Sequence, residues 1–242
     1  MPSFDIRTED LKTNPTARVP VCLCLDVSPS MSGRVEWGAH PSTKGEPIKD
    51  LNIGVMQFYE TVKKDARSKY AAEISVVAFS GEAKTICEFE SVERAQPPQL
   101  AIDVVSGGTA LGTAVELALT KVQERKSQYK KHGVEAYQPW LVIMTDGFPT
   151  DNSHVSVAPT IADLVNRKKL IVIAVGVGNA ADMATLAMFS PAYPPIKIKE
   201  AKFGEFFRLI TSSINEVSRS QPDEEFDFNP KNRKEWDHLY NG

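Results

Sequence analysis

The chain has 242 residues, and its 28 Lys and Arg against 31 Asp and Glu give a formal net charge of −3. This near balance gives no reason to expect a nucleic-acid or anionic-membrane surface, because both need clustered positive charge. Hydrophobic residues make up 42% of the chain and charged residues 24%, which allows a globular core and excludes wholesale disorder.

Four apolar, β-branched runs predict the central strands. They are Val19–Leu25, Glu73–Phe79, Trp140–Thr145 and Leu170–Val177. Three of them are nearly continuous rather than alternating, which is typical of strands buried on both faces of a parallel sheet. Shorter runs predict an edge strand at Lys84–Cys87, after a hairpin turn, and a late parallel strand at Ile196–Ile198.

Apolar residues at helical spacing lie between these strands. They predict helices over Pro47–Lys69, Thr109–Gln128, Val155–Lys169 and Phe203–Val217. Strands that alternate with helices predict an α/β fold with a doubly wound, mostly parallel central sheet flanked by helices and one antiparallel edge strand.

The two ends of the chain differ in composition from its middle. Residues 1–16 are interpreted as a polar N-terminal extension, residues 17–218 as one domain, and residues 219–242 as a charged C-terminal tail. No run of 18 apolar residues occurs and the first residues lack a charged-then-apolar leader, so we expect neither a membrane span nor secretion.

The three cysteines favour a reducing compartment, and we expect a cytoplasmic protein. Cys22 and Cys24 lie two positions apart in an apolar run, and residues so placed on a strand are not normally bridged. A metal site would need more Cys or a nearby His, and the four His are scattered. We interpret these cysteines as buried strand residues.

Two of the predicted parallel strands end in an acid that is followed by small polar residues. Asp26 ends the first, with Ser28 and Ser30 after it at alternate positions, and Asp146 ends the third. A further segment places Thr109 after two glycines at the predicted start of a helix. Because open α/β sheets bind ligands beyond the carboxyl ends of their strands, these five residues are predicted to converge on one edge.

Such a set of oxygen atoms predicts a site for Mg²⁺, or for Mn²⁺ or Ca²⁺, rather than for zinc or copper. Three neutral hydroxyls and two carboxylates neutralise the ion only weakly, so it keeps an open position that attracts an outside carboxylate. The competing interpretation is ordinary helix capping, because Asp, Ser and Thr are favoured at helix starts. For Asp151, a capping or turn role is favoured over a place near the metal.

The pattern Asp26-x-Ser28-x-Ser30, followed by the distant Thr109 and Asp146, resembles the metal-ion-dependent adhesion site of von Willebrand factor A-type domains. All five positions of the family pattern are present. The resemblance implies a Rossmann-like von Willebrand A fold, direct metal contacts from the three hydroxyls, and contacts through water from the two carboxylates. It also implies that the metal bridges to an acidic residue of a protein partner.

Within this family, several short stretches of the sequence resemble the bacterial TerY-type proteins of tellurium-resistance and stress-response systems. They include Gln96–Leu100, Gly108–Gly112 and Met144–Asp151. This resemblance implies an intracellular protein and a partner linked to kinase or phosphatase signalling. The chain departs from the TerY-type pattern by an insertion at 34–44, which we expect to emerge beside the metal and to shape the ligand-binding face.

The sequence does not indicate the oligomeric state. Three functions are compatible with these residues. The favoured one is a non-enzymatic module in which the metal bridges to a partner. A Mg²⁺-dependent phosphoryl-transfer enzyme with Asp26 as nucleophile is the alternative. Such enzymes generally place a second acid two residues later, where this chain has Ser28, and no Ser/His/Asp or Cys/His arrangement is evident. A scaffold with a purely structural metal is the third.

Overall fold

The computed structural model describes residues 11–33, 46–199 and 202–222. The predicted insertion at 34–44, and most of the predicted N-terminal extension and C-terminal tail, lie outside these ranges. Among the helices of the described segments, none has the length and apolarity that a membrane crossing requires.

A six-stranded sheet forms the centre of the molecule. Its strands are β1 (Val19–Asp26), β2 (Ala72–Phe79), β3 (Ala83–Ser91), β4 (Trp140–Thr145), β5 (Ile171–Val177) and β6 (Ile196–Ile198). They lie in the order β3-β2-β1-β4-β5-β6, and every pair is parallel except β2 with β3. The predicted fold class is confirmed, with an antiparallel edge strand that is longer than the predicted Lys84–Cys87.

Helices cover both faces of the sheet, as the continuous apolar sequence of the buried strands requires. The helices are α1 (Pro47–Lys64), α2 (Ser68–Ala71), α3 (Leu111–His132), α4 (Ser153–Asn166), α5 (Met183–Phe189) and α6 (Phe203–Val217). Apolar side chains of α1 and α6 build the core on one face, and those of α3, α4 and α5 build it on the other.

The helix boundaries differ from the prediction where local polar contacts intervene. The predicted helix Pro47–Lys69 ends at Lys64, because Asp65 has an extended backbone and its carboxylate accepts a hydrogen bond from the Ser68 N–H that starts α2. Helix α5 was not predicted, since seven residues are too few to show helical spacing. Its available signal was Asp182, whose carboxylate caps the helix.

The cysteines are placed as the sequence predicts. Cys22 and Cys24 are buried in β1, Cys87 is partly buried in β3, and none of the three forms a disulfide. Burial raises the pKa of Cys22 to about 12, so this thiol stays protonated and unreactive near neutral pH.

The edge of the sheet where β1 and β2 begin contains a buried ionic network. Glu73 Oε1 accepts a hydrogen bond from Arg18 Nε at 3.0 Å, and Glu73 Oε2 accepts from Arg125 Nε at 2.6 Å and from the Tyr129 hydroxyl at 2.7 Å. All four side chains are buried. Burial, and then the charge of Glu73, hold the pKa of Tyr129 well above its usual value. The network joins β1, β2 and α3 at the end of the sheet opposite Asp26.

Candidate metal centre

The candidate centre lies where the order of the strands reverses. The chain runs from β1 to β2 and β3 on one side, and then returns to place β4 on the other side of β1. The carboxyl ends of β1 and β4 therefore lie side by side, at the switch point where open α/β sheets bind ligands. Asp26 is the last residue of β1, and Asp146 directly follows β4.

Hydrogen bonds link four of the five predicted residues. The Ser28 N–H donates to Asp26 Oδ1 at 2.8 Å, and the Ser28 and Ser30 hydroxyl oxygens are 2.9 Å apart. The Ser30 hydroxyl then donates to Asp146 Oδ1 at 2.7 Å. These contacts bring together two loops that are separated by 116 positions in the sequence.

Asp26 is the buried carboxylate of the centre, with 0% of its surface exposed. Its Oδ2 accepts a hydrogen bond from the Thr145 hydroxyl at 2.5 Å. Burial raises the pKa of Asp26, and the hydrogen bonds from Ser28 and Thr145 oppose that shift. The described residues give Asp26 no cationic partner, so its buried charge fits a site that a cation completes.

Thr109 is fixed beside these residues by contacts with the loop after β4. Its N–H donates to Thr150 Oγ1 at 2.8 Å, and its carbonyl oxygen accepts from the Thr150 N–H at 2.9 Å. The Thr109 hydroxyl oxygen lies 3.6 Å from the position of a Cβ built on Gly147, the residue after Asp146. Within the described part of the chain, this hydroxyl makes no hydrogen bond, which leaves it available to a ligand.

Ordinary helix capping does not account for these hydroxyls. Ser28 precedes a short 3-10 helix, Pro29–Ser32, but its side chain makes no capping hydrogen bond to it. The predicted helix at Thr109 begins two residues later, and Ala110 occupies its N-cap position. The sequence therefore placed Thr109 correctly at the sheet edge and wrongly inside a helix.

Asp151 takes the capping role instead. Its carboxylate accepts hydrogen bonds from the Gly112 N–H at 3.1 Å and from the Thr113 N–H at 2.8 Å, so it caps α3 rather than the nearby α4. A role in holding the centre together was not predicted for Thr150 or Asp151. No spacing rule could have revealed it, because these contacts join segments about 40 positions apart.

The start of α3 packs against the start of α4 through a glycine. A Cβ on Gly112 would lie 1.9 Å from the His154 backbone nitrogen, an atom that cannot rotate away. We expect Gly112→Ala to lower the free energy of unfolding by more than about 2 kcal/mol, the range of severe overpacking, in urea denaturation with chelator present. The control is Gly147→Ala, whose Cβ would meet Thr109 Oγ1 at an ordinary 3.6 Å. Equal stability of the two variants would contradict this packing.

Exposed apolar side chains flank the centre. Val104 and Val105 are 75% and 91% exposed, and Phe148, two residues after Asp146, is 66% exposed. The Asp103 N–H donates to the Val27 carbonyl oxygen at 2.9 Å, which holds the valine loop against the end of β1. Exposed apolar groups around a polar centre are typical of an interaction surface.

The donor set suits a hard cation more than a structural zinc site. No group of three or more His, Cys, Asp or Glu side chains placed to hold a metal occurs in the described ranges. The candidate centre differs from such a group because most of its donors are hydroxyl oxygens. Its residues fit a divalent cation with a preference for oxygen ligands.

Residues 21–204 match the sequence model of the von Willebrand factor type A domain. No curated protein matches the chain significantly. Similar solved structures include proximal thread matrix protein 1 from the mussel byssus, with 13% identity and a TM-score of 0.57. That match covers 84% of this chain and 47% of the mussel protein, so the chain spans less than half of it.

Two bacterial structures have a similar fold. The conserved hypothetical protein BatB from Bacteroides thetaiotaomicron has 16% identity and a TM-score of 0.55, covering 84% of this chain and 100% of that one. The vWF domain of the type V pili tip protein Mfa5 from Porphyromonas gingivalis has 11% identity and a TM-score of 0.55, and the match covers 87% of this chain and 99% of that one.

A further structure of the mussel protein has a zinc-occupied metal-ion-dependent adhesion site (MIDAS) motif. It has 16% identity and a TM-score of 0.50, and the match covers 81% of this chain and 48% of the mussel chain.

Proposed function

The chain belongs to the von Willebrand factor type A domain family, and on that premise we propose that it is a non-enzymatic, metal-dependent protein-interaction module. Asp26, Ser28, Ser30, Thr109 and Asp146 would hold one divalent cation at the switch point of the sheet. When bound, the cation supplies a positive charge with an open position, to which an acidic side chain of a partner binds.

The buried carboxylate of Asp26 is the observation that carries this proposal. It has no cationic partner among the described residues, and the hydroxyls around it are not used for helix capping. A buried charge without compensation is costly, whereas a cation at this position offsets that cost and also uses the hydroxyl of Thr109.

Mg²⁺ is the proposed ion, with Mn²⁺ and Ca²⁺ as the other candidates. Hydroxyl and carboxylate oxygens are hard ligands that suit these ions. The similar mussel structure, by contrast, has zinc in its MIDAS motif. Zinc therefore belongs in any comparison of metal affinities.

The partner is proposed to combine an acidic residue with apolar neighbours. The acid would bind at the metal, and the apolar neighbours would cover Val104, Val105 and Phe148. A cytoplasmic setting, a bacterial stress-response or tellurium-resistance system, and a partner linked to kinase or phosphatase signalling follow from the TerY-type resemblance.

The geometry disfavours the phosphoryl-transfer alternative. Both carboxylate oxygens of Asp26 accept hydrogen bonds, and the side chain has no exposed surface from which to attack a phosphorus atom. The position two residues later is Ser28, which is no general acid or base near neutral pH. No observation favours catalysis at this centre.

Affinity capture with and without chelator tests the proposal. Tagged wild-type protein should retain a partner from lysate of the native host in Mg²⁺ and lose it in EDTA, and Asp146→Asn should lose it in both. The matched control is Asp182→Asn, which removes one negative charge next to Gly147 but keeps a good helix cap.

Two outcomes would redirect the interpretation. Capture that survives both EDTA and Asp146→Asn, while Mg²⁺ still raises the melting temperature, would favour a purely structural metal. Mg²⁺-dependent hydrolysis of a generic phosphate ester that Asp146→Asn abolishes would favour the enzyme.

A further inference from the structure

A cavity of about 1030 Å³ lies at the edge of the sheet opposite the candidate metal centre. The starts of β4 and β5 form its floor, and the ends of α3 and α4 form its sides. Among the described residues, five cationic side chains and no Asp or Glu line it: Lys126, Lys130, Arg167, Lys168 and Lys169. This is a concentrated positive charge in a protein whose net charge is −3.

Three of these cations form no ion pair with the residues that the structure describes. Arg167 pairs with Asp163 at 3.3 Å, but Lys126, Lys130 and Lys169 form no ion pair within the described ranges. Burial, and then repulsion from Lys169, lower the pKa of Lys126. The two ammonium groups therefore oppose each other in the cavity, and a bound anion would relieve that repulsion.

The helix dipoles account for the positions of only some of these cationic residues. Lys130 lies in the last turn of α3, and Arg167, Lys168 and Lys169 follow the end of α4, where cations are favourable. Lys126 lies further inside α3, and the dipole effect falls off within the last turn. The dipole of α3 therefore does not account for Lys126.

The rest of the lining is mostly aromatic and aliphatic, with the amide side chains of Gln138 and Asn166 among it. Tyr193 borders the cavity, together with Val165, Leu170 and Val217. Small-molecule sites typically occupy about 300–1,000 Å³ and combine apolar walls with a few polar groups, so this cavity has room for more than an inorganic anion. A ligand with a multiply charged anionic group would match the cationic part of the lining, and a flat organic group on the same ligand would match the aromatic and aliphatic part.

We propose that this cavity binds an organic polyphosphate of the nucleoside triphosphate class. The phosphates would lie among Lys126, Lys130 and Lys169, since lysines bind phosphate as point charges. The organic body would pack against Tyr193 and the aliphatic wall. This site is independent of the metal-bridged interaction, because it lies at the opposite edge of the sheet.

Calorimetric titration of the full chain with ATP tests the proposal. EDTA is present throughout, so that a cation at Asp26 cannot bind the phosphates. We expect ATP to bind more tightly than tripolyphosphate, and adenosine to bind weakly. The double variant Lys126→Gln/Lys169→Gln should weaken ATP binding by about tenfold or more, because two charge-assisted contacts are lost.

Two controls separate this site from general electrostatics and from the metal centre. Lys49→Gln/Lys84→Gln makes the same change in net charge at two exposed lysines that do not line the cavity. It should leave ATP affinity within about twofold, because a charge outside the lining is screened from the bound phosphates. Asp26→Asn should also leave it unchanged, whatever it does to metal binding.

Several results would overturn the proposal. Absence of ATP binding by the full chain would do so, as would equal losses in the two lysine double variants. Tripolyphosphate that binds as tightly as ATP would show that the walls do not select an organic body. Because the acidic run Asp223–Glu225 follows the cavity residue Pro222 in the sequence, ATP binding that occurs only after Asp223→Asn/Glu224→Gln/Glu225→Gln would instead identify an acidic protein segment as the occupant.

Discussion

Asp26→Asn is expected to weaken Mg²⁺ binding by about 10–100-fold, the usual cost of removing a residue that orients or supplies a metal ligand. Asn keeps the size of the side chain and removes the negative charge that the described residues leave uncompensated. The change can be measured by calorimetry, or as loss of the Mg²⁺-induced rise in melting temperature. For wild type, that rise reflects about 2.7 kcal/mol at a hundredfold excess of ligand over Kd.

The matched control is Asp182→Asn, beside the centre but outside the five residues. It should keep wild-type Mg²⁺ affinity within about twofold, because a partly exposed charge outside the ligand set is largely screened by solvent. In EDTA, Asp26→Asn should be at least as stable as wild type, since a buried unpaired charge has been removed. Undiminished Mg²⁺ binding by Asp26→Asn, or equal losses in both variants, would remove Asp26 from the metal centre.

Glu73→Gln is expected to lower the free energy of unfolding by about 3–5 kcal/mol, because removing one member of a buried ion pair leaves the other charge uncompensated. Two buried guanidinium groups, those of Arg18 and Arg125, and the Tyr129 hydroxyl depend on this carboxylate. Urea denaturation with chelator present measures the loss. Mg²⁺ affinity of the folded variant should not change, since the network lies at the opposite edge from Asp26.

Glu82→Gln is the control for this prediction. Glu82 pairs with Lys84 on the surface at 3.5 Å, and an exposed pair of this kind contributes about 0–1 kcal/mol. If Glu73→Gln cost no more than Glu82→Gln, the buried network would not be a main source of stability.

The sequence predicted the elements whose signal is local and strong. Three elements have the predicted bounds: Trp140–Thr145, Ile196–Ile198 and Phe203–Val217. The first is buried on both faces, the second alternates between buried and exposed residues, and the third is buried along one helical stripe, so each has a clear apolar pattern. Helix α5 was not predicted, because its seven residues are too few to show apolar residues at helical spacing. The early end of α1 depends on one side-chain contact of Asp65, which no pattern reveals.

The candidate centre was predictable to the extent that strand ends determine it. Asp26 ends one recognisable strand and Asp146 directly follows another, and the parallel sheet brings those ends together. Thr109 was placed at the same edge, but the contacts that hold it there come from Thr150, 41 positions away. The buried partners of Glu73 and the lysines that line the cavity also come from distant segments, so only the folded chain shows them.

Crystals grown with Mn²⁺ and measured at the manganese absorption edge test the central claim most directly. We predict one anomalous peak among the oxygen atoms of Ser28, Ser30 and Thr109, with Asp26 and Asp146 beside it. A chain saturated with Mn²⁺ in solution whose crystals show no peak there, or show it at another cluster of oxygens, would contradict the assignment of this centre.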